Sequence, residues 1–169
     1  MHYFDSLIAE NAPASYVHHI PILSPVSGTR IASHAIPNEL IRAGMWGKGM
    51  AVSLSGNQVF APFDGVVEAI PAMGYEVQLV SPAGLRLWIK IGVGTERLLG
   101  ERCERLVKVR NAVTQGTPLM SFDKRWLKLQ QVEPIGVVTI RNLGKIKALV
   151  PSHGRQCRAM EDNLFTVYL

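Results

Sequence analysis

A chain of 169 residues with 47% hydrophobic side chains can close one core without metal or disulfide staples, which sets a disordered chain aside and fits one domain. No apolar run approaches the ~20 residues a membrane-crossing helix needs, and the first residues lack the basic, apolar and small-residue order of a signal peptide, so a cytoplasmic protein without stable membrane insertion is expected. The net charge of +5 suits an acidic partner, but the charges are scattered and no basic cluster carries stacking rings, so nucleic acid is not the expected partner; Cys103 and Cys157 sit in no CxxC arrangement and read as free thiols, with no metal or cofactor implied.

In chain order, HYFDSLIAE puts Phe4, Leu7 and Ile8 at helical spacing before Asn11, Pro13 and Ser15. Its only charges are Asp5 and Glu10, whereas an interfacial helix carries Lys or Arg, so residues 1–20 read as a flexible N-terminal arm. From Pro21 to the end, short apolar runs are broken every eight to twelve residues by Gly, Pro, Asn or Ser, which predicts an all-β antiparallel sandwich or barrel over residues 21–169. The expected strands cover 28–32, 50–54, 58–61, 65–71, 75–80, 86–91, 118–122, 136–140 and 164–168. Helical turns are expected only near 38–42, 124–129 and 144–149.

An internal echo runs through this pattern. SPVSGTRIAS at 24–33 and APFDGVVEAI at 61–70 share the form x-P-x-x-G followed by alternating residues, as two copies of one unit would. In LWIKIGVGT, 87–95, alternation sets Leu87, Ile89, Ile91 and Val93 on one face and Trp88, Lys90 and Gly92 on the other. Lys90 is therefore expected on an outward surface beside an indole.

The ordered set SPVSG, PNELIRAGMWGKGMAV, APFDGVV, the strand pair over 75–95, RLLGERCERLVKVRNAVTQGTPLMSFD and VVTIRNLGKIKAL resembles the glucose-type enzyme IIA domain of the bacterial phosphoenolpyruvate-dependent sugar phosphotransferase system, from about Ile22 to the C-terminus. The resemblance implies a duplicated β-sandwich in the cytosol that takes a phosphoryl group from the phosphocarrier HPr on a histidine and passes it to a sugar permease. It also implies a domain that docks on and regulates other proteins. An imidazole suits this chemistry because its neutral nitrogen is a good nucleophile at pH 7, and a second histidine steadies the transferring phosphoryl.

This sequence departs from that pattern at the reacting positions. The accepting histidine belongs to a motif like LLIHIGIDT, where Lys90 stands here; the supporting histidine's place is taken by Tyr75, and the aspartate after the turn by Gly94. An ammonium group offers no lone pair, so phosphoryl transfer is not expected at Lys90. His2, His18, His19, His34 and His153 match no phosphoryl-bearing position of the family. The family's apolar docking patch maps to Leu40, Ile41, Met45, Trp46, Pro71 and Trp88, which surround Tyr75 and Lys90 to make the expected partner-binding face, while Glu39, Gln78 and Glu96 have become polar.

The reading that follows is a degenerate enzyme IIA-like adaptor or regulator that binds a protein partner, with a partner carboxylate meeting Lys90, Tyr75 hydroxyl as a neighbouring donor, and HPr binding weakened by like charge. A working phosphotransfer component in sugar uptake that uses another residue is the alternative, and an orphan β domain with no partner on this face a third. A biotinyl or lipoyl carrier, which VKVRNAVTQGTPLMSFD also resembles, needs its lysine on an exposed hairpin tip, whereas Lys90 lies mid-strand between Ile89 and Ile91. GMWGKGM lacks the strand, spacing and GK[ST] of a P-loop and matches instead the family's GDG turn, with Lys48 in an acidic position.

Overall fold

The computed structural model describes residues 7–169. In chain order the strands are β1 (His19–Leu23), β2 (Gly28–Ile31), β3 (Lys48–Leu54), β4 (Gln58–Phe60), β5 (Gly65–Ala69), β6 (Glu76–Val80) and β7 (Arg86–Ile91). They continue with β8 (Cys103–Arg105), β9 (Ala112–Val113), β10 (Pro118–Phe122), β11 (Ile135–Ile140), β12 (Ala148–Pro151), β13 (Gln156–Cys157) and β14 (Asn163–Tyr168). Two short helices accompany them, α1 (Glu39–Arg42) and α2 (Lys124–Leu129).

The main sheet runs β13-β2-β3-β11-β7-β6-β5-β9, and two three-stranded sheets, β1-β14-β12 and β4-β10-β8, complete the molecule. Neighbouring strands are antiparallel throughout. The chain is all-β, as the apolar runs and turn residues predict.

The principal core, with Ile22, Leu79, Leu87, Ile89, Ile91 and Phe165 fully buried, lies on one side of the main sheet. A smaller cluster of Ile36, Ile41, Ala51, Trp88, Ile135 and Val137 covers part of the other side. Strands β7 and β11 therefore have almost every residue buried, which is why they read as near-continuous apolar runs.

The internal echo has a steric cause. An ideal Cβ at Gly28 would lie 1.9 Å from the Ser53 carbonyl oxygen, and one at Gly65 would lie 2.4 Å from that of Val80. Both glycines open a strand, β2 and β5, against a backbone that leaves no room for a side chain.

Some expectations are revised. The segment 144–149 is not helical: a 3-10 turn over Leu143–Lys145 gives way to β12, which pairs with β14. Strands β1, β8, β9, β12 and β13 are additional to those expected. Of the N-terminal segment, Phe4 lies outside the described residues, whereas Leu7 is buried, Ala9 N–H donates to Leu149 O at 2.9 Å and Val17 N–H to Leu169 O at 2.7 Å. No helix among the described residues is long and apolar enough to cross a membrane.

Candidate functional site

Lateral pairing sets one row of side chains across the second face of the main sheet. Ile31 pairs Ala51, Ala51 pairs Val137, Val137 pairs Lys90, and Lys90 pairs Glu76. The next row brings Thr139 and Gln78 either side of Trp88. Alternation thus places Lys90 on the face opposite the principal core, as the sequence predicts.

That face is not open at Lys90. The segment carrying Ile36, α1 and Trp46 folds over it; Asn38 caps α1 by accepting from Ile41 N–H at 3.0 Å, and the Thr139 hydroxyl ties the segment to the sheet by donating to Trp46 O at 2.5 Å. On the other side, the turn after β7 brings Val93, Gly94 and Glu96 back over the strand end. The outward-facing lysine expected from alternation is consequently 3% exposed. Its ammonium Nζ lies 2.9 Å from Glu96 Oε1. The carboxylate expected from a partner is supplied within the chain.

Between these covers lies a hollow of about 330 Å³, lined by Asn38, Ile41, Trp46, Gly74, Glu76, Trp88, Lys90, Val93, Gly94 and Glu96. Trp46 and Trp88 stack with ring centroids 5.9 Å apart and planes 17° from parallel. The Trp88 indole N–H donates to Glu76 Oε2 at 3.1 Å. The hollow therefore pairs an aromatic wall with one ammonium and two carboxylates, and a charge count of −1 follows from Lys90, Glu76 and Glu96. Partial burial raises the Glu96 carboxyl pKa, but the hydrogen bond and charge of Lys90, with a backbone hydrogen bond, outweigh it and hold the group below its ordinary value.

Tyr75 does not join this site. Its neighbour Glu76 pairs with Lys90, so Tyr75 faces the other way, into the principal core, where it is fully buried and its hydroxyl donates to the Glu101 carbonyl. Burial, with Cys103, Glu101 and Asp123 nearby, pushes its pKa up to about 12. The expectation that its hydroxyl donates beside Lys90 is corrected by this one-residue parity.

Of the other patch residues, Ile41, Trp46 and Trp88 line the hollow, whereas Leu40, Met45 and Pro71 are exposed outside it. Sequence reasoning missed Asn38 and Glu76 altogether; Glu76 was detectable only through the β6–β7 register. His18, His19, His34 and His153 are exposed and none lines the hollow, while His2 lies outside the described residues. Lys48 is buried at the start of β3 and donates to Arg42 O at 3.0 Å. Among the described residues, no three His, Cys, Asp or Glu side chains are placed to share a metal ion.

Comparison with known proteins bears on both fold and lineage. The PTS system glucose-specific EIIBCA component of Corynebacterium glutamicum is 31% identical over 140 residues, 83% of this chain and 21% of that protein. The PTS system glucoside-specific EIICBA component of Staphylococcus carnosus is 32% identical over 134 residues, 79% of this chain and 19% of that one. The chain spans about a fifth of the length of these curated relatives. Glucose permease IIA from Mycoplasma capricolum shares the fold with a TM-score of 0.78, at 22% identity over 89% of this chain and 96% of that chain. The model of the family described as phosphoenolpyruvate-dependent sugar phosphotransferase system, EIIA 1, matches residues 20–146, including every strand that lines the hollow, and the chain belongs to that family.

Proposed function

We propose that this chain is a regulatory or adaptor member of the phosphotransferase EIIA family, a protein-docking domain whose site does not accept a phosphoryl group. The observation that carries the reading is the Lys90–Glu96 ion pair, buried at its lysine end, at the position that the family resemblance assigns to the accepting histidine. An ammonium engaged with a carboxylate offers no nucleophilic lone pair, and Glu76 and Glu96 at the rim repel an incoming phosphoryl anion. Tyr75, at the supporting position, has its hydroxyl committed to a backbone carbonyl in the core.

Docking has separate support. Leu40, Met45 and Met73 are exposed by 51%, 64% and 61%, and each adjoins a segment lining the hollow, so apolar contacts surround a polar centre as in protein interfaces. The like-charge penalty against HPr that Lys90 alone suggests is offset by Glu96, so loss of transfer is expected to exceed loss of docking.

The deciding experiment incubates the purified chain with labelled phosphoenolpyruvate, enzyme I and HPr. No acid-labile phosphate is expected on the chain, while HPr labels fully. Stoichiometric label on this chain would overturn the reading in favour of a working transport component that uses another residue.

A further inference from the structure

Charges scattered along the sequence converge around α2. The helix carries Lys124, Arg125 and Lys128, Arg102 Cζ sits 5.8 Å from the Trp126 ring centroid, and Arg97 donates to the Gln130 carbonyl at the helix end. Asp123, which caps the helix, is the one carboxylate in the 123–129 segment and is shared with Arg102 Nη1 at 3.3 Å. Leu127 is buried beneath, and on the opposite side Arg125 and Lys128 are exposed together with Leu129, which is 78% exposed. The spacing i, i+3, i+4 sets these three on one outward stripe.

We propose that this stripe adsorbs to the surface of an anionic lipid bilayer, with the basic groups meeting lipid phosphates and Leu129 entering the acyl boundary. Charge complementarity supplies the attraction, since within 123–129 Lys124, Arg125 and Lys128 stand against Asp123 alone, and the two of them on the outward stripe, Arg125 and Lys128, are exposed. The leucine selects the bilayer over a folded acidic protein. A side chain standing clear of the surface needs a medium that yields around it, whereas a rigid partner needs a matching hollow. Adsorption in this pose has a consequence for docking: Arg97 ties the end of α2 to the 3-10 turn Thr95–Leu98, which carries Glu96, so the hollow is held next to the membrane plane.

The test is sedimentation of the full chain with vesicles of equal parts phosphatidylcholine and phosphatidylglycerol, beside vesicles of phosphatidylcholine alone. Binding is expected only to the anionic vesicles and to fall steeply with added salt. Arg125→Glu with Lys128→Glu is expected to weaken it about tenfold or more, and Leu129→Ser several-fold without altering the salt dependence. Should the reversal variant fail a folding check by near-ultraviolet dichroism, Arg125→Gln with Lys128→Gln gives the same direction at half the charge change. An equal loss in Lys145→Glu with Arg155→Glu, which makes the same net charge change away from α2, overturns the assignment. So does capture on polyglutamate beads without vesicle binding, which would point to an acidic protein instead.

Discussion

Taking an ammonium group out of water costs several kcal/mol unless an opposite charge hydrogen-bonds to it. Lys90 meets that requirement through Glu96, but the two ends of the pair differ, because the Lys90 side chain is 4% exposed and that of Glu96 69% exposed. Removing the carboxylate strands a buried cation; removing the lysine releases a carboxylate that water already reaches. Glu96→Ala is therefore expected to lower stability by about 1 kcal/mol, whereas Lys90→Met leaves it unchanged or raises it, both read from urea midpoints. The sign with pH follows from the lowered Glu96 carboxyl: its contribution is present above the ordinary glutamate range near 4.5 and is lost as pH falls through the folded value, and Glu96→Gln removes that acidic limb. Solvent around Glu96 keeps the effect below about 1 kcal/mol. Alternation along LWIKIGVGT revealed which face Lys90 occupies. Its burial was not legible, because the residues that cover it come from 36–46 and 93–96, and no local pattern encodes that a second layer lies over a strand.

Elements whose character is written locally were readable, and those created by a distant partner were not. Strand β7 and helix α2 match their expected ranges because each carries its own period or cap, as in Asp123 accepting from Trp126 N–H at 3.0 Å. Strands β9 and β13 are two residues long and exist only through pairing with β5 and β2, so nothing in their own sequence announces them. In 144–149, Ile146 and Leu149 stand at helical spacing, yet β14 offers Ala148 to Pro151 a ladder, and that tertiary pairing overrides the local period. The repeated glycines make the same point in reverse, since a purely local motif records a close approach between strands. Gly28→Ala is expected to cost about 3 kcal/mol, because its Cβ collides with the Ser53 carbonyl. Gly84→Ala, at a φ of +84° but with nothing within 4 Å, is expected to cost only about 1 kcal/mol. Thermal melts of the two variants side by side separate steric collision from backbone strain.

At the scale of the molecule, the two ends of the chain close the structure together. Strand β14 is the middle strand of its sheet, flanked by β1 from the N-terminal side and by β12, and it delivers Leu164, Phe165 and Val167 to the principal core with full burial. The family match covers residues 20–146, yet β1, which lies inside it but for His19, finds its ladder partner in β14 beyond it. The boundary of sequence similarity is therefore not the boundary of the folding unit. A chain ending at residue 146 would keep β3, β11, β7 and β6, the strands under the hollow, but would leave β1 as an unpaired edge and open the core to water. Three large buried side chains lost from β14 amount to roughly 6 kcal/mol of apolar burial, comparable to the whole stability of a domain of this size. The truncated chain is expected to show no cooperative urea transition, and addition of a synthetic 147–169 peptide is expected to restore both the transition and the near-ultraviolet signal of the Trp46–Trp88 pair. A 1–146 fragment that melts cooperatively by itself would instead place the folding unit within the family match and reduce β12 to β14 to an appendage.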